Sequence, residues 1–155
     1  MNKPKYNLLL ADDDEDDCAF FKDALDDLHL SVSFNTVANG VALMKYLSDN
    51  SPGNLPDILF LDLNMPRKNG TECLVEIKQN DRLKNLPVII ISTSFEHDVV
   101  NSLYKDGADF YLCKPGDFSV LKQRIYSAVN LVANLPFKPR SKDKFVVNAP
   151  QAAQL

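Results

Sequence analysis

Short apolar runs alternate along the chain with segments in which apolar residues recur every three or four positions. The runs are of strand length, and residues 58–61 and 88–91 are apolar at every position. Strands buried on both faces of a parallel sheet have this continuous apolar character. The runs predicted as strands are residues 6–11, 32–38, 57–61, 88–91 and 109–113.

Segments with a helical period follow these runs. Residues three and four positions apart share one face of a helix, so their apolar side chains can cover a sheet. The residues that repeat in this way are Cys18, Phe21, Leu25 and Leu28, then Leu43 or Met44 with Leu47, Leu74 with Ile77, and Val99 or Val100 with Leu103. A fifth helix is predicted after Asp117, which is a suitable N-cap residue. Its apolar face comprises Leu121, Ile125, Ala128 and Val132.

Strands that alternate with helices predict an α/β fold of the (βα)5 type, with a doubly wound, parallel, five-stranded sheet. Right-handed crossover connections then favour the flavodoxin-like strand order 2-1-3-4-5. Ligands of such sheets bind at the carboxyl ends of the strands, near the switch point between strands 1 and 3. We therefore expect the chemistry of this protein at the residues that follow those strands.

A chain of 155 residues is the size of one domain. We predict that this domain comprises residues 1–132. Residues 133–155, where the helical pattern stops and prolines and basic residues accumulate, are predicted to be a tail that is flexible or packed on the surface, without an output domain. The alternative is a docking segment for an acidic partner, in which Phe145, Val146 and Val147 add a strand or an anchor.

Overall charge and apolar content restrict the partners. The net charge of −4 disfavours nucleic-acid binding, because proteins that bind nucleic acids concentrate Lys and Arg on one face. No apolar stretch approaches the roughly 18 residues of a membrane span, so no membrane partner is expected. The cysteines Cys18, Cys73 and Cys113 lack a CxxC spacing, and no export signal is visible. These features favour a cytoplasmic location.

Acidic residues follow the first and third predicted strands. Strand 1 leads into Asp12 and Asp13, and strand 3 leads into Asp62. Three carboxylates at neighbouring strand ends repel one another unless a cation joins them, and Mg²⁺ binds such oxygen ligands. The sequence therefore predicts a Mg²⁺ site. Asp16 and Asp17 are interpreted as solvated acids at the start of a helix, where the helix dipole favours negative charge.

Strands 4 and 5 lead into groups of complementary chemistry. Ser92, Thr93 and Ser94 follow strand 4, and Lys114 and Pro115 follow strand 5. A hydroxyl and an ammonium beside three acids supply what phosphoryl transfer requires. These requirements are a carboxylate nucleophile, a metal, and donors to the charged oxygens of the phosphoryl group.

The ordered set of motifs resembles the receiver domain of two-component response regulators, the CheY-like superfamily. The likeness covers roughly residues 6–132. It rests on an acid pair after strand 1, an Asp-x-x-Met-Pro motif at residues 62–66 with Gly70 eight residues after Asp62, a hydroxyl after strand 4, and Lys-Pro after strand 5. The order and spacing of these motifs are more specific than any one of them.

The resemblance implies that Asp62 is the phosphoacceptor. It also implies a Mg²⁺ site in which Asp13 is a direct ligand beside Asp62, Asp12 binds through water, and the backbone carbonyl of Asn64 is a further ligand. Lys114 would pair with Asp62 before the transfer and with the phosphoryl group afterwards.

The resemblance also implies a conformational switch. A hydroxyl that turns towards the phosphoryl group leaves a space that receiver domains fill with an aromatic residue of strand 5, and Tyr111 matches its position. Counting from Pro87 favours Ser92 as this hydroxyl, and Thr93 is the alternative because a one-residue shift would turn it inward. By the same resemblance, the Lys114–Pro115 bond is expected to be cis.

Partners follow from the family likeness. A sensor histidine kinase or a phosphotransfer protein would donate the phosphoryl group, and an unidentified downstream protein would bind the switched surface, expected at helix 4, strand 5 and helix 5. Homodimerisation through that face is an alternative.

The resemblance also assigns a role to two residues near the site. Asn64 and Ser94 match positions that tune hydrolysis of the phosphorylated aspartate. The lack of an output domain and the acids at residues 12–17 resemble small regulators found beside phytochrome-type histidine kinases.

Two other functions remain open at the level of the sequence. An aspartate-nucleophile phosphohydrolase of the haloacid-dehalogenase kind also places an Asp after a parallel strand, but it needs a second acid two residues later, where this chain has Asn64. A receiver-fold module that binds partners without phosphorylation is the third hypothesis. We favour the phosphoacceptor, a signalling domain and not an enzyme, which assists its own phosphorylation and dephosphorylation.

Overall fold

One parallel sheet organises the molecule, whose computed structural model describes residues 6–50, 52–133 and 142–147. The strand order is β2-β1-β3-β4-β5, which confirms the predicted fold class and topology. The strands are β1 Tyr6–Ala11, β2 Val32–Val37, β3 Ile58–Asp62, β4 Val88–Ser92 and β5 Phe110–Cys113. Two strands are longer than predicted at their carboxyl ends, because Asp62 and Ser92 still pair with their neighbours Ile91 and Cys113.

Helices cover both faces of the sheet. They are α1 Glu15–Leu28, α2 Gly40–Asp49, α3 Gly70–Gln79, α4 His97–Lys105 and α5 Phe118–Ala133. The apolar faces of α1 and α5 pack on one side of the sheet, and those of α2, α3 and α4 pack on the other. Every residue of β3 and β4 is buried, as expected for strands with helices on both sides. Within the described part of the chain, no helix has the length and apolarity needed to cross a membrane.

The acidic stretch after β1 turns directly into α1. Asp12 accepts a hydrogen bond from the Asp14 N–H at 3.0 Å. Asp14 in turn caps the helix, because its carboxylate accepts hydrogen bonds from the N–H groups of Asp16 and Asp17 at 2.8 and 3.1 Å. The connection from the sheet to the helix is therefore short, and it holds the first turn of α1 beside the end of β1.

Gly70 allows α3 to begin close to the end of β3. A Cβ atom at this position would lie 2.3 Å from the carbonyl oxygen of Asp62, which is far inside van der Waals contact. The Gly70 N–H donates a hydrogen bond to the Leu63 carbonyl at 3.0 Å. Only glycine fits this contact, and the backbone that follows Asp62 is therefore tightly packed.

Residues 142–147, called the C-terminal segment below, lie along the outer edge of β5. The Tyr111 N–H donates to the Phe145 carbonyl at 2.9 Å, and the Val147 N–H donates to the Tyr111 carbonyl at 2.7 Å. Phe145 is 2% exposed and contacts the rings of Tyr104 and Tyr111. This segment therefore forms an isolated bridge at the edge of β5, with the side chains of Phe145 and Val147 buried against the core. Residues 134–141 and 148–155 lie outside the described residues.

Candidate functional site

Three carboxylates meet at the carboxyl ends of β1 and β3. Asp12 and Asp62 are almost fully buried, at 2% and 6% exposed, whereas Asp13 is exposed. Each of the three offers an oxygen atom, and these oxygens lie within 4.8 Å of one another. The strands are neighbours in the sheet, with Ala11 opposite Leu61, so the residues that follow them are brought together by the strand pairing.

The spacing of these oxygens suits a divalent cation. Octahedral Mg²⁺ binds oxygen ligands at about 2.1 Å, which places the ligands about 3 to 4 Å from one another. Mg²⁺ in proteins binds one or two carboxylates directly and completes its coordination with water, so two of these three acids suffice as direct ligands. The acid cluster is therefore compatible with a bound divalent metal, and Asn64 lies in the exposed loop directly after β3.

Lys114 supplies positive charge to the cluster from the loop after β5. Its Nζ atom lies 2.7 Å from Asp12 and 3.7 Å from Asp62. A third carboxylate, that of Asp17 in the first turn of α1, accepts a hydrogen bond from the same ammonium at 2.9 Å. One cation thus contacts the acid that follows β1, the last residue of β3 and an acid of α1.

Burial and the neighbouring charges shift the titration of this site. Burial raises the pKa of Asp62 from its ordinary value of 3.8 to about 6, against the attraction of Lys114, and the nearby Asp12 adds to the increase. Burial by itself lowers the pKa of Lys114, but its hydrogen bonds to Asp12 and Asp17 outweigh burial and raise it. Lys114 therefore remains an ammonium ion near neutral pH.

A chain of hydroxyl contacts leads away from the site on the β4 side. Ser92 is 1% exposed, and its hydroxyl oxygen accepts a hydrogen bond from the Ser94 N–H at 3.2 Å. The carbonyl of Ser94 accepts a hydrogen bond from the hydroxyl of Tyr111, which is itself buried. Thr93, the first residue after β4, is exposed.

A scan of the sequence against protein families matches residues 8–126 to the response regulator receiver domain. The chain belongs to this family. The receiver domain is a module of two-component signalling, and its members interact with histidine kinases or phosphotransfer proteins. The family likeness that the motifs indicated is therefore confirmed.

Similar proteins include regulators from phytochrome signalling. This receiver domain is 36% identical over 118 residues to "Response regulator Rcp1" of Synechocystis sp. (strain ATCC 27184 / PCC 6803 / Kazusa), an alignment that covers 73% of this chain and 78% of Rcp1. The crystal structure of the Mn²⁺-bound form of Rcp1 has a TM-score of 0.73 and 28% identity, and covers 86% of this chain and 99% of that chain. The phosphorylated cyanobacterial phytochrome response regulator RcpA has a TM-score of 0.74 and 30% identity, and covers 86% and 98% of the two chains.

Two sequence-based expectations for this receiver domain need correction. The Lys114–Pro115 bond is not cis, since the described residues contain no cis peptide bond. The two isomers of an X-Pro bond differ by only about 0.5 to 1 kcal/mol, so a motif does not determine which one forms.

The second correction concerns Asp17. It does lie in the first turn of a helix, but it is not merely solvated, because it binds Lys114. No local pattern in the sequence distinguishes Asp17 from its acidic neighbours, so the contact could not be read from it.

Proposed function

We propose that this receiver domain accepts a phosphoryl group on Asp62 in a Mg²⁺-dependent reaction and then changes its binding to other proteins. The observation that carries the proposal is a buried carboxylate that shares a cluster of oxygens with Asp12 and Asp13 and has an ammonium 3.7 Å away. The cluster offers a nucleophile, a place for a metal, and a cation for the transferred group.

Asp12, Asp13, Asp62 and the backbone carbonyl of Asn64 would hold the metal. A bound divalent cation neutralises the charge that develops on the phosphoryl oxygens during transfer. The Mn²⁺-bound form of Rcp1 supports a metal here, because that relative has the same fold and binds a divalent ion of similar ligand preference. Mg²⁺ is the proposed ion because it binds in proteins through one or two carboxylates together with phosphate oxygens of the substrate.

In the transfer step, an oxygen of the ionised Asp62 attacks the phosphorus atom of a phosphohistidine on the donor protein. A P–O bond to Asp62 forms as the P–N bond breaks, and the histidine nitrogen keeps the electron pair and takes up a proton. The donor is a histidine kinase or a phosphotransfer protein. Lys114 and the hydroxyl of Ser92 then bind the new phosphoryl oxygens, and the exposed Asn64 and Ser94 tune the access of water to them.

The hydrogen bonds of Ser92 connect the phosphorylation site to the surface of the protein. If the hydroxyl of Ser92 turns towards the phosphoryl group, it leaves the Ser94 N–H, and the Ser94 carbonyl holds the hydroxyl of Tyr111. The ring of Tyr111 touches Phe95, which is 43% exposed. We propose that the surface of α4, β5 and α5, where the C-terminal segment covers the edge of β5, receives the downstream protein or a second copy of the chain.

The decisive experiment for phosphorylation measures the intact mass of the protein after incubation with Mg²⁺ and acetyl phosphate. We expect the wild type to gain one phosphoryl group with release of acetate, and Asp62→Asn to gain none because its amide is not a nucleophile. Chelation of the metal should also prevent the gain in the wild type. The exposed Asp16→Asn variant is the matched control and should gain mass as the wild type does.

The same experiment distinguishes the other two functions. A phosphohydrolase would release phosphate from acetyl phosphate over many turnovers. The rate of this release would exceed the rate at which phosphorylated Asp62 hydrolyses. A module that only binds partners would show no mass gain under conditions in which other receiver domains are modified. Either result would contradict the proposed phosphoacceptor role.

For Lys114→Ala we expect phosphorylation to persist while the conformational change is lost, because the variant keeps the nucleophile but lacks the cation that binds the phosphoryl group. Amide NMR signals of β5 should shift upon phosphorylation of the wild type and remain in place in the variant. Lys22→Ala, which removes a largely exposed lysine of α1, is the control. Equal shifts in Lys114→Ala and the wild type would exclude the proposed role of Lys114.

A further inference from the structure

Lys114 contacts both the acid cluster and Asp17 of helix α1. Its Nζ atom lies closer to Asp17, at 2.9 Å, than to Asp62, at 3.7 Å. Asp17 is therefore a principal partner of this ammonium in the structure, together with Asp12 at 2.7 Å. Unlike Asp12, Asp17 lies outside the cluster of oxygens that suits a metal.

The position of Asp17 is fixed by the backbone of α1. Its N–H donates a hydrogen bond to the cap residue Asp14 at 3.1 Å, so its Cα atom is held in the first turn of the helix. The carboxylate can therefore follow Lys114 only by side-chain rotation. A cavity of about 300 Å³ between α1, β5 and α5 is lined by both Asp17 and Lys114, and it gives the lysine side chain room to move.

An ammonium ion has three N–H donors, and here carboxylates of Asp12, Asp17 and Asp62 surround it. A phosphoryl group on Asp62 adds about 1.5 to 2 negative charges and three strong acceptor oxygens. These oxygens lie farther from the Asp62 backbone than the carboxylate does, because the phosphorus atom is bonded to a carboxylate oxygen. We infer that Lys114 moves towards them at the expense of its contact with Asp17, because the ammonium already lies nearer to Asp17, at 2.9 Å, than to Asp62, at 3.7 Å.

We propose that Asp17 is a positioning residue that competes with the phosphoryl group for Lys114. In the resting protein Asp17 stabilises Lys114 in its contacts with α1, and the phosphorylated protein must give up part of this interaction. Asp17 thereby lowers the stability of the phosphorylated state relative to the resting state. The inference rests on the proposed function of Asp62 as phosphoacceptor.

The test measures the affinity of the protein for beryllofluoride in saturating Mg²⁺, by isothermal titration calorimetry. Beryllofluoride is a tetrahedral stand-in for a phosphoryl group and bonds to an aspartate carboxylate. We expect Asp17→Asn to bind it about two- to fivefold more tightly than the wild type, which is the range expected for loss of one partly exposed ion pair. Asp17→Glu keeps a carboxylate within reach of Lys114 and should return the affinity towards that of the wild type.

Asp16→Asn is the matched control, because it removes the same charge from the same helical turn but concerns an exposed side chain. It should leave the affinity within about 1.5-fold of the wild type, since isolated surface charges contribute little. An unchanged or weaker affinity of Asp17→Asn would overturn the inference, as would equal tightening in Asp16→Asn. Absence of beryllofluoride binding to the wild type would instead overturn the proposed function, and the inference with it.

Discussion

Replacing Phe145 by alanine should lower the free energy of unfolding by about 3 kcal/mol. Removal of a buried phenylalanine from a protein core costs about 3 to 5 kcal/mol, and Phe145 is 2% exposed between the rings of Tyr104 and Tyr111. We expect the lower end of that range, because the C-terminal segment can detach from β5 and so avoid leaving a cavity. Equilibrium unfolding in urea measures the change.

Phe95→Ala is the matched control for this variant. The two substitutions remove the same atoms, and both rings contact Tyr111, but Phe95 is 43% exposed. Its removal should cost about 1 kcal/mol or less, in line with the smaller area that it withdraws from water. A loss of only about 1 kcal/mol or less for Phe145→Ala, as small as that expected for Phe95→Ala, would show that the C-terminal segment does not contribute its buried phenylalanine to the stability of the folded domain.

Replacing Asp62 by asparagine should raise the stability of the metal-free protein at pH 7.5 by about 1 to 3 kcal/mol. Burial raises the pKa of this carboxyl in the folded state from 3.8 to about 6, so its ionised form opposes folding. Each unit of such a shift corresponds to about 1.4 kcal/mol. Because the folded state binds the proton more tightly than the unfolded state, the wild type loses stability as the pH rises from about 4 through 6.

Unfolding curves in the presence of a chelator, measured between pH 4 and pH 8, test this expectation. The difference between Asp62→Asn and the wild type should be complete above about pH 7 and small at pH 4, because it vanishes only below the ordinary pKa of 3.8, where Asp62 is protonated in both states. Added Mg²⁺ should stabilise the wild type more than the variant, because a ligand stabilises the state that binds it. A variant that is less stable than the wild type at pH 7.5 would contradict the prediction.

The fold was predictable because its determinants are local and repeated. Apolar runs such as residues 88–91 contain no polar position, so they require helices on both faces, and the alternation of elements then restricts the topology. The acid cluster followed from this topology. Once β1 and β3 are neighbours, Asp12 directly after β1 and Asp62 at the end of β3 must lie at the same edge of the sheet.

Other features depend on contacts that no local pattern reports. The acids of residues 12–17 look alike in the sequence, and only the direction of the first turn of α1 brings Asp17, and not Asp16, to Lys114. Docking of Phe145 depends on the shape of the β5 edge, which is formed by distant residues such as Tyr104 and Tyr111. Three apolar residues near the end of a chain do not identify such a partner, so the sequence left several alternatives for them.

The position of the C-terminal segment also determines when the sheet is completed during synthesis. A ribosome releases the chain from its N-terminus, so β5 and the ring of Tyr111 emerge before Phe145 and Val147 can cover them. During that interval the growing chain presents an open strand edge, which is the part of a sheet most prone to pair with another chain. The last described residues of this protein therefore close the edge that a nascent chain leaves exposed.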